Sequence, residues 1–526
     1  MKRWSLLLVS LAVLCLSSEP RAALGNDATV RRVADATTEL DVQEARRLLS
    51  KIKGDAPAVR FEHARLAVYV GDCDAALAIL SSSTFAEAPE ANALAEIAKR
   101  CARATAGSLI IEDAARGVWL RLQDQRDRVL VPFIVDVAAR ARDVIGRDLG
   151  VQLPRPLRID LVRDLFSLAA VTGLPLEAAE TTGTVAVARW GRVTMISPRA
   201  TALGYPWQDT LAHEITHLAL SRATRDAAPL WLQEGIAKRE ETRWRPPRPF
   251  DDTPAADDLA LRALLEGRSV GIDRLGPSIA MLPTPEAATI AFAEVTSFIS
   301  YFIRDQGEAA LRLLLSDLKG LGLESADAAL RSVTGYDLTV WKERWKRQLL
   351  AAHTPGKSAA PQVAEVLRGR RAATQAGARE LLRHVRLGDL LIGREHFRAA
   401  LGPLEAAVGE AGKEPAVRFR AARAALGADE SERAFKSLGG LESVHGPHGG
   451  WFALEGRKLR EQRDAAADGR FRLGLSLDPL AEAVACEGYF ASRRAEKSAS
   501  NTPEARVPAD PAMVELCREA RRLSRD

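Results

Sequence analysis

The stretch Leu211-Ala212-His213-Glu214-Ile215-Thr216-His217-Leu218 decides how this chain of 526 residues is read. Pro206 suits the first turn of a helix, and Leu211, Ile215 and Leu218 recur at helical spacing. At about 100° per residue, His213 and His217 lie about 40° apart, so both imidazoles face one point. Glu214 is about 100° round from His213, near enough to approach a ligand of a metal without binding the metal itself. This pattern suits two metal ligands and a general base. A chain with eight histidines matches it by accident with odds of about 1 in 100, so a third ligand has to be found.

The run Pro229-Leu-Trp231-Leu-Gln-Glu234-Gly-Ile-Ala237 begins a second helix, again with proline in its first turn. Zinc takes three protein ligands and leaves a fourth position open when it is catalytic, and Glu234 is placed to be the third. Ser221–Ala228 is long enough to reverse the chain between the two helices. Glu241 lies about two turns after Glu234 and shares its face. It either orients a ligand or faces water, and solvation is the expectation.

Around this centre the texture varies. Residues 27–106 read as short amphipathic helices (Val42–Ile52, Ala58–Val70 stopped by Gly71-Asp72, Ala75–Leu80, Ala91–Ala104), in the manner of helical-hairpin repeats. Val118–Leu122 and Leu157–Val162 alternate like strands around a helix at Phe133–Leu149. Thr184–Ala188 and Arg192–Ile196 flank a turn at Arg189-Trp190-Gly191. With helices from 206 to 350, residues 107–352 form an α+β domain. A polar linker is expected at 353–365, and helices return over 366–526. There Gly393 and Gly427, Ala400 and Ala434, and Leu404 and Leu438 are each 34 residues apart, the tetratricopeptide spacing. Asp478-Pro479 closes a third unit, and Ser492–Pro511 reads as a loosely held polar stretch.

Composition excludes more than it identifies. The chain is 47% hydrophobic and 27% charged, with 74 basic and 69 acidic residues, which removes collagen-like, wholly disordered and polytopic membrane proteins. Aromatic residues make up only 5%, too few for a base-stacking surface, and with no basic run a nucleic-acid partner is not expected. Lys2-Arg3, an apolar run from Leu6 to Leu16 and small residues to Gly25 describe a signal peptide over residues 1–25. Leu14 before Cys15 is too bulky for the usual lipoprotein cleavage site. The expected location is secreted or periplasmic, with no membrane span after cleavage. Cys73 with Cys101 and Cys486 with Cys517 are two local pairs, either disulfides outside the cytoplasm or free buried thiols.

His213-Glu214-x-x-His217 followed by Trp231-Leu-Gln-Glu234-Gly-Ile-Ala resembles the gluzincin metallopeptidases, and within them the peptidase MA-like family. Leu157–Val162 with Asp164–Ala169 and Gly173, the hairpin between Gly183 and Ser197, Gly204–Trp207, Ser297–Ile303 and Gly335–Trp345 resemble the family's flanking elements. The resemblance covers roughly residues 107–350. It implies Zn2+ held by His213, His217 and Glu234, with Glu214 as the base that takes a proton from the attacking water and passes it to the leaving amine. It also implies that a peptide substrate adds as a strand along the hairpin. The fold implied is mainly α, with an α+β zincin-like domain and tetratricopeptide-like α-α repeats on both sides for partners or substrates. Relatives often carry an oxyanion-stabilising tyrosine where Phe292 stands, and Tyr301 is offset towards a packing role; thermolysin-like relatives have a carboxylate where Lys238 stands. The alternative is an inactive peptidase-fold scaffold whose repeats bind other proteins.

Overall fold

The computed structural model describes residues 28–82, 85, 88–200, 205–247, 251, 255–321, 326–352, 376–412, 415–439, 449–480, 484–486 and 511–523. The expected leader, the linker and nearly all of the polar stretch after Ser492 lie outside these residues. The described residues are mainly helical with one small mixed sheet among them.

Five helices come first: α1 (Ala28–Thr38), α2 (Val42–Leu49), α3 (Pro57–Val70), α4 (Cys73–Leu80) and α5 (Pro89–Thr105). Their ends follow from local chemistry. Asp41 and Asp72 cap α2 and α4 by accepting from the Glu44 and Ala75 N–H groups, each at 3.0 Å. Gly71 ends α3 in the left-handed conformation, φ 86°.

The sheet comprises β1 (Leu109–Asp113), β2 (Val118–Leu122), β3 (Leu157–Val162), β4 (Ala186–Arg189) and β5 (Arg192–Ile196), in the order β1-β2-β3-β5-β4. The middle pairs β2–β3 and β3–β5 are parallel; the outer pairs are antiparallel. The β4–β5 turn needs positive φ at Trp190 (56°) and Gly191 (70°), and β4 is left as an edge. One face of the sheet (Leu120, Leu122, Ile159, Leu161, Val193, Met195) buries against α6 (Val131–Leu149) and α9 (Trp207–Thr224). α7 (Leu165–Thr172) and α8 (Leu176–Thr182) lie between β3 and β4 in the chain.

The opposite face carries three buried charges on neighbouring strands. Asp160 accepts from Arg121 at 2.7 and 2.9 Å and from Arg192 at 2.9 Å. The two guanidiniums also donate to the Gly71 and Val68 carbonyls at the end of α3. The N-terminal helices are thereby docked on the sheet, and Cys73–Cys101 joins α4 to α5 beneath Arg192, whose Nη2 is 3.5 Å from Cys101 Sγ. Removing one partner of such a cluster would strand a buried charge.

α10 (Leu230–Glu240) and α11 (Ala256–Leu265) lead to a helical run, α12 (Pro285–Leu321), broken at Gly307 (φ 81°). By length and composition α12 could cross a bilayer, yet Val295, Phe298, Ile299 and Phe302 are packed in the central core. α13 (Ala326–Thr334) and α14 (Leu338–Ala351) close this part, with Trp341 and Trp345 buried.

The 34-residue spacing corresponds to two successive helix pairs. α15 (Ala376–Gly393) packs on α16 (Phe397–Ala411), and α17 (Pro415–Gly427) on α18 (Ser431–Leu438). Gly393 and Gly427 end the first helix of each pair; Ala400 with Ala434 and Leu404 with Leu438 are buried in the second. α19 (Gly449–Glu461) and α20 (Ala467–Leu475) make a third pair before Asp478-Pro479. The last helix, α21 (Pro511–Leu523), behaves differently from the rest of the C-terminal region. Its Met513, Leu516 and Ala520 join the central core, and Cys517 is bonded to Cys486.

Candidate metal centre

α9 is buried on nearly all sides, so its two histidines project into a closed space. Its buried threonines are satisfied: Thr216 and Thr224 donate to the Ala212 and Leu220 carbonyls at 2.9 and 2.8 Å. The left-handed Arg225 (φ 54°) ends the helix, and Pro229 begins α10. A clamp then fixes the two helices relative to one another. Asp209 in the first turn of α9 accepts two 2.7 Å bonds from Arg245 and one of 3.1 Å from Trp244, both just beyond α10. At the centre of α10, Gly235 lies so close to α12 that a Cβ there would be 2.8 Å from the Val295 carbonyl oxygen.

This packing brings His213, His217 and Glu234 together, with their ligand atoms within 4.8 Å of one another. Glu234 Oε2 is 3.4 Å from His213 Nε2 and 3.7 Å from His217 Nε2. Tetrahedral zinc with ligands at about 2.0–2.1 Å needs donors about 3.3–3.4 Å apart, so the set fits a first-row dication after small adjustments. The donor chemistry fits as well: two imidazoles and a carboxylate, all largely buried.

Glu241 is not solvated as expected. Its Oε2 lies 3.2 Å from His213 Nδ1, which leaves Nε2 directed at Glu234. A carboxylate in that position sets the ring's tautomer and orientation. Lys238 Nζ donates to the other oxygen of Glu241 at 2.5 Å, so Lys238, Glu241 and His213 form a chain of contacts. Glu241, the C-cap of α10, keeps the helical conformation and so returns to the face of Glu234, and the half-buried Lys238 neutralises its carboxylate.

The electrostatics follow from this packing. Burial disfavours charge on His213, but bonds to Glu234 and Glu241 outweigh it and raise the imidazole to about 10. Burial likewise acts to raise Glu234 and Glu241; the histidines and Lys238 outweigh it and hold both below the usual carboxylate range. Glu214 is displaced the other way. Burial and the nearby Glu234 raise it against the pull of His217 and His213, and it takes a hydrogen bond from the Ala188 backbone on the edge strand β4. Of the four expected side chains, three thus form the cluster, and Glu214 lies beside it facing β4.

Phe292 is beside the cluster, its ring 6.3 Å from that of His213 and 5.8 Å from Lys238 Nζ, and it supplies no hydroxyl. Tyr301 packs edge-on against Trp341 at 5.9 Å. The tyrosine that senses Glu214 is Tyr205, half-buried with its hydroxyl donated to the Ile196 carbonyl and its ionisation pushed up by desolvation. In the sequence Tyr205 reads only as part of the entry to the helix, and Asp209 and Arg245 carry no visible role; an acidic residue in a helix's first turn is the one local sign. No family model, curated protein or solved structure matches the chain.

Proposed function

We propose that this chain is an extracytoplasmic zinc metallopeptidase of the gluzincin, peptidase MA-like kind. The observation that carries the reading is the convergence of His213, His217 and Glu234 on one point, with Glu214 adjacent and Glu241 holding His213. A zinc ion in this set would acidify water and polarise a substrate carbonyl. Glu214, kept from ionising easily by burial, is suited to accept a proton from the attacking water and return it to the leaving amine. β4 offers an edge beside Glu214 to which an extended peptide can add. The disulfides Cys73–Cys101 and Cys486–Cys517 support a secreted or periplasmic location. The paired helices α15–α18, with their equivalent small residues, support tetratricopeptide-like repeats that present partners or substrates.

The test is zinc stoichiometry together with cleavage of casein or a peptide library by wild type and by Glu214→Gln. One zinc per chain, with cleavage lost in the variant and zinc retained, is the expected result. Absence of zinc from wild type, or cleavage that survives the substitution, overturns it. Phe292 beside the cluster favours a second reading, a scaffold that binds metal without turnover. Stoichiometric zinc with no cleavage of any library member selects that reading.

A further inference from the structure

A cleft of about 980 Å3 lies away from the metal cluster, between the start of α2, α6, the loop that leads into β3 and the far end of α9. Arg46, Arg142, Arg147, Arg155, Arg158 and Arg222 line it, against only Asp41 and Asp143. Both carboxylates are engaged: Asp41 caps α2, and Asp143 meets Arg142 Nε at 3.4 Å. Arg142 also donates to the Arg116 and Gly117 carbonyls, and Arg222 to the Glu39 carbonyl. The side chains of Arg46, Arg147, Arg155 and Arg158 make no hydrogen bond or ion pair among the described residues. The Arg158 Nε atom is buried there without an acceptor.

A folded chain rarely gathers unpaired like charges around a concave surface, because their repulsion opposes folding. Burial together with Arg46 lowers the Arg158 pKa against the pull of Glu112, and burial together with Arg155 lowers that of Arg142 against the pull of Asp143. The walls do not shift to relieve this. Leu40 is inserted in the central core, and Glu39 accepts from Arg225 and from Lys319, the latter at 2.9 Å. The α2 wall is therefore held against α9 and α12, and the cleft is formed before any ligand arrives.

We infer that this cleft binds a multiply charged oxyanion carrying phosphate groups. Guanidinium forks match phosphate oxygens in bidentate geometry. An excess of four positive charges in a space of this size calls for a ligand of high charge density. Linked phosphates provide that density, whereas a peptide carries about one carboxylate per residue. Arg222 is nine residues after His213 on α9, about half a turn round the helix, so the cleft and the metal cluster face opposite ways. The ligand therefore does not enter the metal cluster.

The titrant is inorganic tripolyphosphate, added calorimetrically at low salt to the full chain. The comparison protein carries Arg46→Gln, Arg147→Gln and Arg155→Gln, three exposed residues with no partner among the described residues. A charge-matched control carries Arg100→Gln, Arg383→Gln and Arg398→Gln, exposed elsewhere. Saturable 1:1 binding is expected in wild type and in the control, weakened at least about ten-fold in the cleft variant, each lost charge-assisted bond being individually worth that much. Thermal unfolding of the cleft variant without anion should be no lower than that of wild type, because repulsion has been relieved. A parallel arm adds vesicles containing phosphatidic acid. Vesicle binding lost with the cleft variant assigns the phosphates to a lipid headgroup, and its absence assigns them to a free ligand. No saturable tripolyphosphate binding, equal weakening in cleft variant and control, or citrate bound as tightly as tripolyphosphate would overturn the inference.

Discussion

Gly235→Ala tests whether the metal cluster depends on the close approach of α10 to α12. The added methyl would lie 2.3 Å from Ile299 Cγ1 and 2.8 Å from the Val295 carbonyl oxygen. Ordinary contact is about 3.5 Å, so α10 must retreat by about 0.7–1.2 Å. Ile299 cannot make room because it is fully buried, and the Val295 oxygen belongs to the helix backbone. Overpacking of this kind costs about 1–3 kcal/mol, and the better helix propensity of alanine returns up to about 1 kcal/mol. A net loss of about 1–2 kcal/mol is expected. Functionally the displacement matters more, because Glu234 is the adjacent residue and donor sets tolerate only about 0.5 Å. Zinc affinity should fall about 10- to 100-fold in competition with a calibrated chelator. Gly320→Ala is the control: the residue is exposed, nothing lies within 4 Å of where its methyl would sit, and the change should be neutral or stabilising by up to about 1 kcal/mol. If Gly235→Ala bound zinc as wild type does and melted no lower, α10 would not be the rigid support described.

Glu241→Ala should weaken zinc binding about 10- to 100-fold while the far-ultraviolet circular dichroism stays unchanged, since His213 loses the group that orients its ring; wild-type affinity would return Glu241 to a solvated role. Burial, against the pull of Arg239 and Arg243, pushes the Glu240 carboxyl up to about 7. The native state therefore holds this proton more tightly than the unfolded chain, so stability falls as pH rises from about 4.5 to 7 and the loss is complete above that. Denaturant titrations should show wild type losing up to about 3 kcal/mol relative to Glu240→Gln across that window, and a pH-independent difference would contradict the assignment. Cys73–Cys101 and Cys486–Cys517 span 28 and 31 residues, so reducing each should cost about 3–4 kcal/mol on the chain-entropy account. Mass spectrometry after alkylation without reductant should find these four thiols protected; labelling of all four would remove the disulfides.

What the sequence disclosed depended on how far apart the cooperating residues are in the chain. Val118–Leu122 and Leu157–Val162 are strands with the expected boundaries because alternation is a local property. His213 and His217 are likewise placed by helical geometry alone, and Glu234 by a reversal that only a short segment has to make. β1 escaped notice because its exposed Ile110 breaks the inward-outward pattern of a half-buried strand. Arg121, Asp160 and Arg192 are charged residues in largely apolar strands, and only strand register shows that they neutralise one another.

Glu241 shows the same limit within a single helix. Its spacing from Glu234 was legible, but choosing between solvent and His213 required knowing how closely α9 and α10 cross, which Asp209–Arg245 and Gly235 determine from outside both motifs. The basic cleft is the extreme case. Its arginines come from positions 46 to 222, and the four that fall within 142–158 are interleaved with Asp143 and Asp148. In the chain each reads as an ordinary solvated residue, which is the right inference for any one of them taken alone. Only when α2 is pinned against α9 through Glu39 do they share one concave surface, and their repulsion then becomes a property of the fold. A site made by one helix can therefore be inferred from spacing, whereas a site made by docking two regions has to be read from the charges that docking leaves unpaired.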